Sequence, residues 1–185
     1  MTAIKKQHTI NHLDETEARW FAVRTRSKSE KFVQRMLEKK QVHAWVPLQK
    51  LLRRWGRVKR WVEQPLINCY VFVKIVKSEY ISILETENVA GFVKFKQDLI
   101  AIPEAEMEIL KRITLEDDLE VTVVPGYFAE GDPVEISKGN LLGLKGKVVK
   151  IEGKHKMLVE LAHIGYSLLI TVDTSFLQKI APYST

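Results

Sequence analysis

Nine consecutive residues, Arg53-Arg54-Trp55-Gly56-Arg57-Val58-Lys59-Arg60-Trp61, concentrate the side chains in this 185-residue chain best suited to binding chemistry. Five cations, two tryptophans and a glycine describe a surface for a polyanion. Guanidinium and ammonium groups neutralise phosphates, and an indole offers a face on which any base can stack. Arg24, Arg26 and Lys28, just after the first apolar run, join the candidate nucleic-acid-binding set. The bland alternative is a solvated basic face, since Lys and Arg are common on any surface. Residue types alone leave both readings open.

Reaction chemistry is harder to find. The five histidines (His8, His12, His43, His155 and His163) lack the spacing of three or four converging metal ligands. His8 and His12, four residues apart, fall in a polar N-terminal stretch. Cys69, the single cysteine, lies in the apolar run Pro65–Val76 and reads as a small hydrophobe in a core strand rather than an activated thiol. Glu104, Glu106 and Glu108 read as charge at the positive end of a helix, not as an acid/base pair. No glycine-rich phosphate loop precedes any helix. The expectation is a protein that is not an enzyme, with no catalytic residue, no metal site and no cofactor.

The elements that must position the basic cluster follow from patterning. Trp20-Phe21-Ala22-Val23 is a short strand, and Ser27 or Ser29 can cap the helix behind it. That helix carries Phe32, Val33, Met36 and Leu37 as one stripe and runs to about Lys40. Val42–Trp55 is a β-type run bent at Pro47. Gly56 supplies the permissive backbone of a hairpin tip. Lys59 to Val76 returns as one or two strands, broken at Pro65. Tyr70 to Val76, interrupted only by Lys74, suits a central strand buried on both faces. A short helix capped at Ser78, a strand over Val89–Phe95 and a helix opened by Pro103 complete this half. Beyond an acidic stretch, four or five short strands separated by Gly-containing turns predict a small β-barrel. The fold class is α+β. Residues 1–18 read as a flexible extension, 19–113 as a first domain with an antiparallel sheet flanked by helices, 114–122 as a linker and 123–182 as the barrel.

Charge is unevenly spread. Residues 20–77 carry 15 Lys/Arg against 3 Asp/Glu, whereas residues 78–122 carry 4 against 11, within a chain of net charge +6. A basic first half suggests a surface facing nucleic acid. No apolar run long enough to span a bilayer and no secretory leader are evident, and one cysteine precludes an internal disulfide. The expected location is the cytoplasm, away from membranes.

The run Gly131-Asp132-Pro133-Val134-Glu135-Ile136, then Gly139, then Leu144-Lys145-Gly146-Lys147-Val148-Val149-Lys150-Ile151 resembles the KOW motif, with Gly146 at its obligatory glycine, a place suited to positive φ. Trp20–Thr25, a helix, the basic hairpin and then Pro65-Leu66-Ile67-Asn68-Cys69-Tyr70-Val71-Phe72-Val73 resemble the N-terminal domain of the NusG family. Together they cover Trp20 to Ile180. Asn68-Cys69 stands where that family usually has Pro-Gly, Ile67 where it usually has Phe, and Leu141 at a loop position usually held by Phe. These departures and the N-terminal extension resemble specialised paralogues of the UpxY or RfaH kind.

The resemblance implies a transcription elongation or antitermination factor that binds the clamp helices of the largest RNA polymerase subunit and suppresses pausing or termination. It implies action on particular long operons such as polysaccharide clusters. It places Trp20, Leu66, Ile67 and Tyr70 at the polymerase, and the basic residues against the non-template DNA strand or nascent RNA. Leu141, Leu142 and Ile164 of an SH3-like KOW barrel would meet a further partner, such as a small-subunit ribosomal protein, with binding to the termination factor Rho doubtful. The protein would act as a monomer. An RNA-binding or ribosome-associated KOW protein is the alternative.

Overall fold

The computed structural model describes residues 9–117, 119–125, 131–151 and 154–181. These form two compact units. The first comprises the described residues up to Val46 together with Asn68–Pro103. The second comprises Pro47–Ile67 and the described residues from Glu104 onward.

In the first unit, strands β1 (Arg19–Thr25), β2 (His43–Trp45), β5 (Tyr70–Ile75) and β6 (Val89–Phe92) form an antiparallel sheet in the order β2-β5-β1-β6. As the apolar run interrupted only by Lys74 predicts, β5 is an inner strand buried everywhere except at Lys74. It pairs with β1 in the register Trp20↔Lys74 to Arg24↔Tyr70. Helix α1 (Glu30–Lys39) packs on this sheet, with Val33 and Leu37 fully buried. Ser29 is its N-cap, but its hydroxyl makes no capping bond; its carbonyl accepts from the Val33 N–H at 2.8 Å. Helix α2 (Tyr80–Leu84) follows a 3₁₀ turn at Lys77–Glu79. The serine expected to cap it does not. Instead the Glu79 carboxylate reaches back to the Val76 N–H at 2.9 Å.

Cys69 corrects the sequence reading. It sits one residue before β5, half-buried, with φ 65°, so it occupies a turn rather than a core strand. A left-handed residue is required there, and the glycine usual at this position in the family that the sequence resembles would take that geometry without penalty. The turn is held by Glu30, a buried carboxylate that accepts the Cys69 N–H at 2.6 Å, and by the Thr25 N–H, which donates to the Cys69 carbonyl at 2.9 Å.

The described part of the N-terminal extension is also anchored. Asn11 bridges Leu99 in parallel, and Leu99 N–H donates to the Ile10 carbonyl at 3.0 Å. The Asp14 carboxylate accepts the Thr16 and Glu17 N–H groups, and its carbonyl accepts from Lys77 N–H. Residues 9–18, read from their polar, aperiodic composition as part of an extension, make these contacts to the first unit. The rest of that expected extension lies outside the described residues.

In the second unit, β3 (Leu48–Trp55) and β4 (Val58–Pro65) form a separate two-stranded hairpin, and helix α3 (Glu104–Thr114) packs against β3. Strands β7 (Val121–Pro125), β8 (Asp132–Ile136), β9 (Lys145–Ile151), β10 (Lys154–Leu161), β11 (Tyr166–Ile170) and β12 (Leu177–Lys179) make an antiparallel sheet ordered β12-β8-β9-β10-β11-β7. The hairpin and α3 group by contact with the C-terminal sheet in the second unit. Side-chain bonds account for part of this: Gln49 Nε2 donates to the Leu119 carbonyl at 2.7 Å, and Glu106 and Arg112 of α3 bond to the 162–165 and 140–142 turns.

Gly146 is required for a different reason than the one its motif suggests. Its φ is not positive. It lies in β9 where β10 crosses closely, and a Cβ there would collide with the Leu158 carbonyl oxygen and come within 2.9 Å of the Met157 methyl. The constraint is close strand approach, not turn geometry.

Candidate nucleic-acid interface

The hairpin is built by an eight-pair register from Leu48↔Pro65 to Trp55↔Val58, closed by Gly56-Arg57 with Gly56 at φ 59°. Alternation along paired strands sorts its side chains onto two faces. Lys50, Leu52, Arg54, Lys59, Trp61 and Glu63 share one face, and every one of them is exposed. Arg53, Trp55, Val58 and Arg60 share the other. That face continues down the strands into half-buried Leu51 and Val62 and buried Gln49. The first face, open until it reaches half-buried Leu48 and Pro65, therefore carries Lys50, Arg54 and Lys59 around Trp61, an indole 56% exposed, with Glu63 opposite Lys50.

Large exposed indoles are costly to leave in water, and Trp55 is similarly exposed at 57%. Among the described residues, none of Arg53, Arg54, Arg57, Lys59 or Arg60 is in an ion pair. Arg54 Nε donates only to the Gly56 carbonyl, at 2.9 Å, which braces the turn without neutralising the charge. Of this set, the sequence reading missed Lys50. Its signal was available, since a period of two counted back from Arg54 places it on the same face.

Arg24, Arg26 and Lys28 belong to the first unit. All three are exposed and without an ion pair among the described residues, with Lys28 in the left-handed region at φ 61°.

The residues expected at the polymerase are not a surface patch in this structure. Trp20 is 3%, Leu66 7%, Ile67 2% and Tyr70 8% exposed. Trp20 packs edge-on against His43 at 5.0 Å, with Lys74 Nζ over its ring. Trp20 and Tyr70 also lie at opposite ends of the β1–β5 pairing, four register positions or about 13 Å apart.

The proposed KOW partner residues are divided in the same way. Leu142 is 58% exposed, whereas Leu141 and Ile164 are buried. Helix α3 holds both of their turns. Arg112 Nη2 donates to the Leu142 carbonyl at 2.6 Å and to the Asn140 carbonyl at 3.3 Å. Glu106 lies in the first turn of α3, as expected of helix-end charge, and is also a buried carboxylate. It accepts the His163 N–H at 3.2 Å and meets His163 Nδ1 at 2.7 Å. No spacing in the sequence links residues 57 positions apart, so this pair is a product of tertiary packing.

His12 Nδ1 is engaged by the Ala101 N–H at 3.2 Å, and its candidate metal partner His8 lies outside the described residues. Among the described residues, no three His, Cys, Asp or Glu side chains are grouped to hold a metal, and no helix is long and apolar enough to cross a membrane.

A family model described as transcription termination factor nusG matches residues 18–111. No curated protein matches the chain. Among solved structures, one titled for domain interaction in Thermotoga maritima NusG is similar over 90% of this chain and 99% of that one, at 23% identity and a TM-score of 0.56. An MjSpt4:Spt5 complex, conformation B, aligns over 90% of this chain and 99% of that one at 20% identity, with a TM-score of 0.32. The Thermotoga likeness supports the mixed α+β architecture, an N-terminal sheet with helices followed by a β-rich C-terminal region. The family match spans just over half of the sequence, and the chain belongs to the NusG family of transcription factors.

Proposed function

We propose that this chain is a transcription elongation and antitermination factor whose basic hairpin engages a nucleic acid strand within the elongation complex. One observation supports the reading: the hairpin is a two-stranded sheet of its own and presents Lys50, Arg54 and Lys59 around exposed Trp61 on one face. Phosphates along a single strand meet the cations while an unstacked base lies on the indole. The strand is the non-template DNA or the nascent RNA, and such contacts carry little sequence preference. Arg24, Arg26 and Lys28 add exposed cations on the first unit.

RNA polymerase is the principal protein partner in this reading, through its clamp helices. Contact through Trp20, Leu66, Ile67 or Tyr70 requires these residues to be uncovered, because all four are buried. The same holds for Leu141 and Ile164 toward a ribosomal protein, whereas Leu142 is accessible as it stands. Cys69 and the N-terminal segment favour a specialised, operon-specific paralogue with little capacity to stimulate Rho-dependent termination.

The test is co-purification at moderate salt. Recovery with RNA polymerase, and crosslinking of the hairpin to nucleic acid in an assembled elongation complex, are the expected results. Recovery with ribosomes and not polymerase overturns the reading. Stimulation of Rho-dependent termination in vitro to the level of a housekeeping NusG overturns the specialised assignment alone.

A further inference from the structure

The anchored N-terminal segment builds a groove on the first unit, formed by elements that contribute nothing to the hairpin. Thr9, Ile10, Asn11 and Leu13 form one wall; Lys77, Tyr80 and Ile81, from the turn and helix α2, form another. Lys94, Gln97 and Leu99 complete a space of about 440 Å³. The walls are fixed by short bonds. Ile10 N–H donates to Asp98 Oδ1 at 2.8 Å, His12 N–H to the Leu99 carbonyl at 2.9 Å, and Lys77 N–H to the Asp14 carbonyl at 2.8 Å. Tyr80 is held from behind by stacking on Phe92 at 4.5 Å.

Three properties identify what fits. First, Ile10 and Ile81 are 52% and 58% exposed although both line the groove, so its apolar lining faces water and gains from being covered. Second, the groove is polarised. Lys94 is exposed without an ion pair among the described residues, and Lys77 stands on the other wall. Among the described residues no carboxylate lines the groove. Of its two lysines Lys77 is bridged by Glu15, which leaves Lys94 as the lining cation without an ion pair among the described residues. Third, a groove that leaves its lining half exposed does not enclose a small ligand, whereas it seats a large side chain presented by a second surface.

We propose that this groove is a docking site for an acidic protein segment. A large apolar side chain of the partner enters between Ile10 and Ile81, and a flanking carboxylate pairs with Lys94. The N-terminal segment is then a structural part of an interaction surface. This inference stands on the first unit alone and does not rest on the hairpin reading.

A 16-residue random peptide display library, selected against the full chain, tests it. The comparison variant is Ile81→Asp/Lys94→Glu, with both positions at the surface and folding confirmed by circular dichroism. Peptides selected on the parent chain are expected to pair Asp or Glu with Leu, Ile or Phe and to bind the variant at least tenfold more weakly. They are also expected to shift the amide NMR signals of Ile10, Ile81, Lys94 and Leu99. Replacing the acids of a selected peptide by Lys is expected to restore binding to the single variant Lys94→Glu. Selected peptides without carboxylates, equal binding to parent and variant, or shifts confined to the 48–65 hairpin overturn the proposal. So does a selection that yields no peptide distinguishing the two proteins, or a single-stranded oligonucleotide that shifts the groove signals in place of peptide.

Discussion

If the open face of the hairpin binds a single strand, neutralising it must change the salt dependence of binding by a calculable amount. Arg54 and Lys59 lie opposite each other on that face, exposed and without ion pairs. Each phosphate contact on a single strand contributes about 0.7 to the slope of log K against log salt. The double variant Arg54→Ala/Lys59→Ala should therefore lower the slope by about 1.4. Between 50 and 200 mM salt the parent chain then loses about sevenfold more affinity than the variant does. Arg53→Ala/Arg60→Ala removes the same charge from the opposite face, whose lower part is partly covered, and should change the slope by less than half as much. Trp61→Ala should cost about 1–3 kcal/mol at any salt concentration, because stacking is not ionic. The assay is fluorescence anisotropy of a labelled single-stranded oligonucleotide titrated at four or five salt concentrations. Equal slopes for the two double variants would refute the one-faced reading. Unchanged slopes for both would leave the cations as a solvated face.

Other substitutions probe the scaffold. Cys69→Gly should stabilise the chain by about 0.5–1 kcal/mol in urea unfolding, because relief of a left-handed L-residue, about 1–2 kcal/mol, exceeds glycine's extra unfolded-state entropy, about 0.5–1 kcal/mol; destabilisation would show that the thiol is needed for packing. Gly146→Ala should cost about 3 kcal/mol or more, since the clash is with the backbone of β10, and a thermal melt within a degree or two of the parent's would contradict the close crossing. Glu106→Gln keeps the shape of the α3 contact but weakens a charged acceptor of two bonds from His163, and should lower stability by about 1–3 kcal/mol while increasing hydrogen exchange in the 161–165 turn. The Asp14 carboxyl is held below its usual range, first by the Glu17 and then by the Thr16 backbone N–H bonds. A lowered folded pKa gives stability that is present above the unfolded value of 3.8 and lost as pH falls through the folded one. The amide signals of Thr16 and Glu17 should therefore hold at neutral pH and shift only below about pH 4; a transition near neutrality would contradict the turn.

Amino-acid order by itself determined much of this protein. The apolar run Tyr70–Val76, interrupted only by Lys74, marked a strand buried on both faces, and β5 is that inner strand; Gly56 between two β-type runs marked the hairpin; Gly-punctuated short strands marked the C-terminal sheet. Each is a local signal, because side-chain period, turn conformation and apolar run length are properties of a few consecutive residues. The cations and indoles at the hairpin tip were equally legible, since a tip that nothing covers keeps the exposure its composition suggests. What only tertiary structure decided concerns residues whose environment is supplied from far away in the chain. Trp20, Leu66, Ile67 and Tyr70 have the types of a docking patch, yet burial is set by what packs over them. Leu141 and Leu142 are adjacent and chemically identical, but one is buried and the other 58% exposed. Glu106 is helix-end charge as its position implies, but its burial and its bond to His163, 57 residues away, come from tertiary packing. Gly146 followed the same logic: its motif was visible in one strand, but the reason for it lies in the carbonyl of another.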